Sequence, residues 1–169
     1  VVAGATELVE PTLSAGVVLR VEMPEGLPPV LGASGDLEQV IVNLLMNARD
    51  AVGESGTIRV AARTFRQGDP RTKGDEPKRG VALLVEDDGP GVPADREEDV
   101  FQPFVTTKPH GTGLGLAVAR QILRPLGEHR RDDLPPSLRH VATRIERRVP
   151  EDAVEQQPLV RLGESRAER

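Results

Sequence analysis

Asn43 and Asn47 stand four residues apart in an otherwise apolar run, Val40-Ile41-Val42-Asn43-Leu44-Leu45-Met46-Asn47. Asn is a poor residue for a helix interior, and a solvated helix face normally carries Glu and Lys. A neutral amide oxygen can coordinate magnesium beside phosphates. With Asp36, Gln39 and Asp50 the two amides form a polar stripe at three- and four-residue spacing; the plain alternative is a solvated face. Glu86-Asp87-Asp88-Gly89-Pro90-Gly91 follows an apolar run directly. A carboxylate there faces either a pocket or an acidic turn, since Asp-Gly-Pro is good turn chemistry. Gly111-Thr112-Gly113-Leu114-Gly115-Leu116 could bring backbone N–H groups close to an anion where a helix opens. It has neither the spacing of a dinucleotide fingerprint nor the Gly-Lys-Ser/Thr of a Walker loop. Phe101-Gln102-Pro103-Phe104-Val105-Thr106-Thr107-Lys108 places two hydroxyls and an ammonium just before it, as a lid over a polyphosphate would; the alternative is a loop anchored by two buried Phe.

The elements that must position these residues can be read from periodicity. Val17 to Glu22 is β-branched and ends at Pro24 and Gly26, a strand. Leu37, Val40, Ile41, Leu44, Leu45, Ala48 and Val52 recur at three and four, which predicts a helix over about 35–52, capped by Asp36 or Ser34 and ended by Gly53. Thr57 to Phe65 alternates Ile58, Val60 and Ala62 against Arg59 and Arg63, a second strand. Val81 to Val85 is almost wholly apolar, as a central strand is. Between them, 67–80 is rich in Gly, Pro and charge and predicts the loop of a hairpin. The chain from Gly89 to Gly115 is loop-like, and Leu114 to Leu126 predicts a helix with Leu116, Ala119, Ile122 and Leu123 on one face.

Composition narrows the function classes. The 169 residues suit one domain with a tail. A net charge of −5 disfavours nonspecific nucleic-acid binding, and three Phe without Trp or Tyr exclude a stacking platform. With no Cys there are no disulfides, thiolate metal sites or cysteine nucleophiles. No apolar run approaches the ~20 residues of a membrane span, so no direct membrane contact is expected. Val1 to Thr6 does not resemble a signal peptide and reads as the interior of a longer chain, whose parent could be cytosolic or membrane-anchored; this part reads as cytoplasmic.

The four motifs occur in a definite order: Asn-x₃-Asn on a helix, Asp-x-Gly-x-Gly after a strand, a Phe-x-x-Phe and Thr-Thr-Lys segment, then Gly-x-Gly-x-Gly before a helix. That order resembles the catalytic ATP-binding domain of sensor histidine kinases, in the Bergerat-type ATPase/kinase superfamily, over about Leu13 to Leu126. The resemblance implies an α/β two-layer sandwich, a mixed sheet with helices on one face. It implies ATP and magnesium as cofactors. By similarity Asn47 coordinates the metal, with Asn43 nearby as a second possible ligand, and Asp50 belongs to the nucleotide site. Asp87 accepts the adenine amino group, and Gly89 and Gly91 let the chain pass the base. Phe101, Phe104, Thr106, Thr107 and Lys108 form the lid, Val92 to His110, with Lys108 reaching the terminal phosphates. Gly111, Thr112, Gly113, Leu114 and Gly115 contact the phosphates. The short lid resembles the nitrogen-regulation type of sensor kinase.

Related ATP hydrolases carry a Glu four residues before the magnesium Asn as general base. Here that position is Asn43, which cannot take a proton, so a kinase is expected over a hydrolase; an inactive nucleotide-binding remnant is the other rival. In such kinases Asn43 and Lys108 serve the transfer of the γ-phosphoryl group to a histidine. The acceptor sits on a separate dimerisation domain, and a response-regulator receiver domain is the next partner. His110, His129 and His140 are not on an upstream helix, so this chain alone is not expected to phosphorylate itself.

The chain departs from the family after Gly127. Residues 1–127 are expected to form the catalytic domain, N-terminally truncated and without the acceptor domain. Residues 128–169 form a divergent charged tail with nine charges of each sign, in which the last two family strands are missing or replaced. Glu128-His129 and Asp132-Asp133 can be encoded so that a one-base shift reads Ser-Ile and Thr-Thr, close to a closing strand, so the tail is a candidate frameshift product. Leu138, Val141, Ile145 and Val149 also allow a short helix over 139–148.

Overall fold

The computed structural model describes residues 1–67, 78–92, 96, 99–106, 108, 111–123 and 159–160. Among these residues three helices, α1 (Val2–Val9), α2 (Ser34–Val52) and α3 (Gly115–Leu123), accompany five strands: β1 (Gly16–Glu22), β2 (Val30–Leu31), β3 (Ser55–Gln67), β4 (Lys78–Asp87) and β5 (Leu159–Val160). The main sheet has the order β1-β3-β4. β1 runs parallel to β3, from Gly16 opposite Ser55 to Glu22 opposite Ala61. Parallel neighbours need a long crossover, which α2 supplies. β3 and β4 are antiparallel, with Ile58 opposite Asp87 and Val60 opposite Val85.

This register sorts the side chains by face. Ile58, Val60 and Ala62 of β3 join Val81, Leu83 and Val85 of β4 in one core with Leu37, Val40, Ile41, Leu44, Leu45 and Ala48 of α2. Ala119 and Leu123 of α3 complete it on one side, and Val2, Ala5 and Val9 of α1 on the other. Burying each Val, Leu or Ile side chain among these contributes about 1.5–3 kcal/mol, so α2 is anchored on three sides. On the opposite face of the sheet Arg59 bridges Glu22, at 2.6 Å, and Glu86, at 2.5 Å. These two carboxylates raise the Arg59 pKa, and the Arg59 hydrogen bond lowers that of Glu22.

Several expectations need correction. Neither Asp36 nor Ser34 caps α2: the helix begins at Ser34, Ala33 is the N-cap, and no side chain bonds the free N–H groups. Asp36 instead lies in the first turn, where its charge suits the helix dipole. Gly53 ends α2 as expected, at φ 68° with its N–H on the Arg49 carbonyl. β3, not β4, is the central strand of the described sheet. The apolar run of β4 reflects burial on both faces, since Val81 through Val85 are all buried, and not a position between two described strands. The hairpin strands continue to Gln67 and from Lys78, into both ends of the region read as loop, because backbone pairing does not require apolar side chains. Residues 89–115 are not all loop, for Asp99–Phe101 forms a 3₁₀ turn. α1 and the pairing of β5 with β2, Val30 opposite Val160, had no counterpart in the sequence reading. The remaining hairpin loop (68–77), the helix extension over 124–126, the helix over 139–148, His110, His129 and His140 lie outside the described residues.

Candidate functional site

One face of α2 meets three of the four motifs in succession. At its middle, Asn43 donates from Nδ2 to the Gly115 carbonyl at 3.2 Å, so the first amide clasps the opening of α3. One turn on, Asn47 Oδ1 accepts the Lys108 ammonium at 3.2 Å. Asp50 Oδ2 takes the same ammonium at 2.6 Å. At the end of the helix, Ala51 lies against Gly89: a Cβ on Gly89 would come within 2.8 Å of Ala51 Cβ and of Asp87 Oδ1. The polar stripe is therefore not a plain solvated face, because Asn43 and Asn47 are half-buried with long-range partners. Asp36 and Gln39, further up the stripe, are exposed.

Asp87 closes β4 and is half-buried. Its Oδ1 accepts the Gly89 N–H at 3.0 Å, which folds the turn back over the carboxylate. Burial raises its pKa; the Gly89 bond opposes this, and the Asp88 charge adds to it. Asp88, which no motif reading singled out, closes the ladder: its two oxygens both take the Thr57 N–H at 2.9 Å, and its own N–H reaches the Thr57 carbonyl at 3.3 Å. Gly91 has φ 72°.

The segment expected to form the lid has exposed aromatic rings among its described residues. Phe101 is 38% and Phe104 77% exposed, so two buried Phe do not anchor this loop. Phe104 holds φ 68°, uncommon for a bulky residue, and its N–H donates to the Gly113 carbonyl at 3.0 Å. The Arg120 guanidinium of α3 lies 5.8 Å from the Phe101 ring centroid. Thr106 Oγ1 accepts the Lys108 N–H at 3.1 Å, and the Gly111 N–H reaches the Lys108 carbonyl at 3.1 Å. Gly113 is at φ 65°, and a Cβ there would meet the Phe104–Val105 backbone at 2.5–2.8 Å. Only Gly fits both the conformation and the approach. Thr112 and Leu114 are exposed in this turn, and the Leu114 carbonyl accepts the Val118 N–H at 2.8 Å as α3 begins. Thr107 lies outside the described residues.

Charge is balanced locally around Asp50. Burial alone would raise its pKa, but bonds from Lys108 and Arg49 outweigh it and hold the carboxyl below its usual value. Arg49 donates to Asp50 Oδ1 at 2.9 and 2.6 Å and to Thr12 Oγ1 at 3.3 Å. Among the described residues no group of three or more His, Cys, Asp or Glu could hold a metal unaided. Magnesium keeps waters and substrate phosphates as most of its ligands and does not require such a group. The site offers Asn47, an amide oxygen that already holds a cation, the Lys108 ammonium. No helix of the described residues is long and apolar enough to cross a membrane.

Residues 32–152 match the family described as histidine kinase-, DNA gyrase B-, and HSP90-like ATPase, and the chain belongs to it. Its relatives are sensor kinases. It is 40% identical over 111 residues to the C4-dicarboxylate transport sensor protein DctB of Rhizobium meliloti, covering 64% of this chain and 16% of that protein. It is 44% identical over 100 residues to the sensory histidine kinase/phosphatase NtrB of Rhodobacter capsulatus, covering 57% of this chain and 28% of that one. The chain thus spans well under a third of these relatives. Among solved structures, the catalytic domain of histidine kinase ThkA superposes with a TM-score of 0.58 at 26% identity, covering 73% of this chain and 74% of that one. Full-length ShkA, solved in complex with AMPPNP, gives 0.57 at 27% identity over 75% of this chain and 24% of that one. The α/β fold is that of the histidine-kinase catalytic domain, a mixed sheet with helices.

Proposed function

We propose that this chain is the nucleotide-binding catalytic part of a two-component sensor histidine kinase, and that it delivers the γ-phosphoryl group of ATP to a histidine on a dimerisation domain. The observation that carries this reading is the convergence of three motifs on α2: Gly115 at Asn43, Lys108 at Asn47, and the Asp87–Gly89 turn at Ala51. Asp87 would accept the adenine amino group; Oδ1 is taken by Gly89, leaving Oδ2 for the base. The Gly89 turn packs too closely on Ala51 to admit a side chain. Asn47 would hold magnesium, with Asn43 as a neighbouring amide, and the metal when bound supplies neutralisation of phosphate charge. The 111–115 turn would present its N–H groups to the phosphates, and Lys108 would meet the terminal ones. Phe101, Phe104, Thr106 and Thr107 would belong to the covering lid.

The transfer itself asks little covalent chemistry of this chain. The acceptor imidazole nitrogen attacks the γ-phosphorus, a P–N bond forms, the bond to the β–γ bridging oxygen breaks, and ADP leaves. Positioning and charge neutralisation do the rest. Asn43 supports transfer to histidine over hydrolysis. It stands where a hydrolase needs a base, an amide takes no proton, and its Nδ2 is engaged by the Gly115 carbonyl. The further partner would be a receiver domain, and the working unit would be built on residues 1–127, to whose β2 the later Leu159–Val160 also pairs.

The test is phosphotransfer from labelled ATP, with magnesium, to a histidine-bearing dimerisation domain of a related kinase supplied in trans. Acid-labile, base-stable label on that domain is expected, and Asn47→Ala should abolish it. Steady release of phosphate without an acceptor would instead mark a hydrolase. Failure of the folded chain to bind ATP would overturn the reading altogether.

A further inference from the structure

We propose that Asp50 is a positioning residue for the lid lysine: its carboxylate holds the Lys108 ammonium beside Asn47, at the place where the terminal phosphates of ATP are received. The inference rests on the functional reading above and assigns Asp50 a role through Lys108 and not through the nucleotide.

The geometry divides the carboxylate between two cations. Oδ1 takes Nε and Nη2 of Arg49, at 2.9 and 2.6 Å. Oδ2 takes Nζ of Lys108 at 2.6 Å. Arg49 is in turn tied through Nη1 to Thr12 Oγ1 at 3.3 Å. The carboxylate is therefore oriented by one bond pair and uses its other oxygen on the lysine. Isolated surface ion pairs contribute little. This one is not isolated, because the same ammonium donates to Asn47 Oδ1 at 3.2 Å. An ammonium has three donors; in the free chain Asp50 and Asn47 take two, and when the Asn47 oxygen turns to magnesium Asp50 alone keeps the lysine in place, leaving two for phosphate oxygens.

The sequence separation makes the arrangement useful. Asp50 is on a helix anchored in the core, whereas Lys108 is on a lid whose Phe104 is 77% exposed. A four-carbon stem on such a segment samples many rotamers, and fixing it at the moment of binding costs entropy. Holding it beforehand against a rigid helix removes that cost from nucleotide binding.

ATP and ADP separate the possibilities, since only ATP carries the terminal phosphate. Binding of each would be measured by calorimetry with magnesium for the 169-residue chain and for Asp50→Ala, Asp50→Asn, Lys108→Met and the Asp50→Ala/Lys108→Met pair. Asp50→Ala is expected to weaken ATP about five- to tenfold while moving ADP by less than about twofold. Lys108→Met should show the same selective loss, the double variant should lose no more than Lys108→Met, and Asp50→Asn should fall between wild type and Asp50→Ala. Tighter ATP binding by Asp50→Ala would overturn the proposal, showing that the carboxylate only repels phosphate. Equal losses for ATP and ADP with a lower melting temperature would overturn it in favour of a structural tie through Arg49 and Thr12. Unchanged affinities would reduce the pair to an exposed contact. Normal ATP binding by wild type with any of these results leaves the functional reading standing; absence of wild-type binding removes both.

Discussion

Gly113→Ala is the sharpest test of how the lid and the Gly-rich turn cooperate. Gly113 sits at φ 65°, and an added Cβ would lie 2.5 Å from the Phe104 carbonyl carbon and 2.7 Å from the Val105 nitrogen. The left-handed conformation costs an alanine roughly 1–2 kcal/mol. The steric conflict is with backbone, so a rotamer change cannot relieve it. The Phe104–Val105 segment must move, and the hydrogen bond from Phe104 N–H to the Gly113 carbonyl, 3.0 Å long, is lost at about 1 kcal/mol. In the free protein this strain can be released by a shift of the Phe104–Val105 segment, whose side chains are exposed. Under the phosphate-binding role proposed for the turn, nucleotide binding must restore it and so carries the cost. Two to three kcal/mol corresponds to about a 30- to 150-fold loss of ATP affinity at 1.4 kcal/mol per tenfold. Calorimetry with magnesium-ATP measures the loss, and thermal unfolding of the free chain should shift by less than about 2 °C. ATP affinity within threefold of wild type would refute the coupling of turn and lid. A large fall in melting temperature without loss of affinity would place the strain in the core instead.

Asp87 predicts two opposite pH dependences. Its pKa is raised by burial, with Asp88 adding to the shift and the Gly89 N–H opposing it, so its contribution to folding stability is present below the ordinary value of 3.8 and is lost as pH rises through the raised value. The adenine role proposed for Asp87 uses the ionised form, so ATP affinity should fall as pH drops through that same raised value; affinity titrations from neutral to acid pH check this, and a curve flat down to 3.8 would refute it. Asp87→Asn should abolish the dependence and weaken ATP by about 10- to 150-fold, the worth of a hydrogen bond to a charged group at about 1.5–3 kcal/mol. Leu45→Ala, at a position with no exposure, should lower unfolding free energy by about 2–5 kcal/mol in a denaturant titration with unchanged slope.

The parts of the molecule that were readable in the sequence are those where one physical rule acts without competition. α2 shows it best: its buried residues repeat at three and four along a helix packed on three sides, so the periodicity is uninterrupted. β3 and β4 were readable where their core-facing residues alternate. Their last residues beside the hairpin loop were not, because the pairing of Arg66 with Arg79 and Gln67 with Lys78 rests on backbone bonds that leave no mark on hydropathy. α1 carries a signal that was available, since Val2, Ala5, Thr6 and Val9 are its buried residues at helical spacing. The window is only 8 residues long, short of what periodicity needs, and the helix owes its existence to α2 beneath it. The β2–β5 pair unites two dipeptides from distant parts of the chain, too short for any pattern.

The site divides in the same way. Asn43, Asn47, Asp87 and the glycines belong to motifs whose residue types are constrained by what they must contact. The links among them are not local: Asn43 with Gly115 spans 72 residues, Asn47 with Lys108 61, and Asp50 with Lys108 58. A lysine in a lid and an aspartate on a helix are each unremarkable alone, and no spacing rule joins them. Their pairing follows from the core, which fixes α2 against α3 and thereby sets where the chain between β4 and α3 must pass. Asp88 makes the same point at shorter range. In the sequence it is one more acid in a turn, yet the register that puts Asp87 opposite Ile58 brings its carboxylate to the Thr57 N–H. The apolar packing of α2 thus determines which polar groups meet, and the chemistry proposed for the site depends on residues chosen for burial as much as on those that would touch the nucleotide.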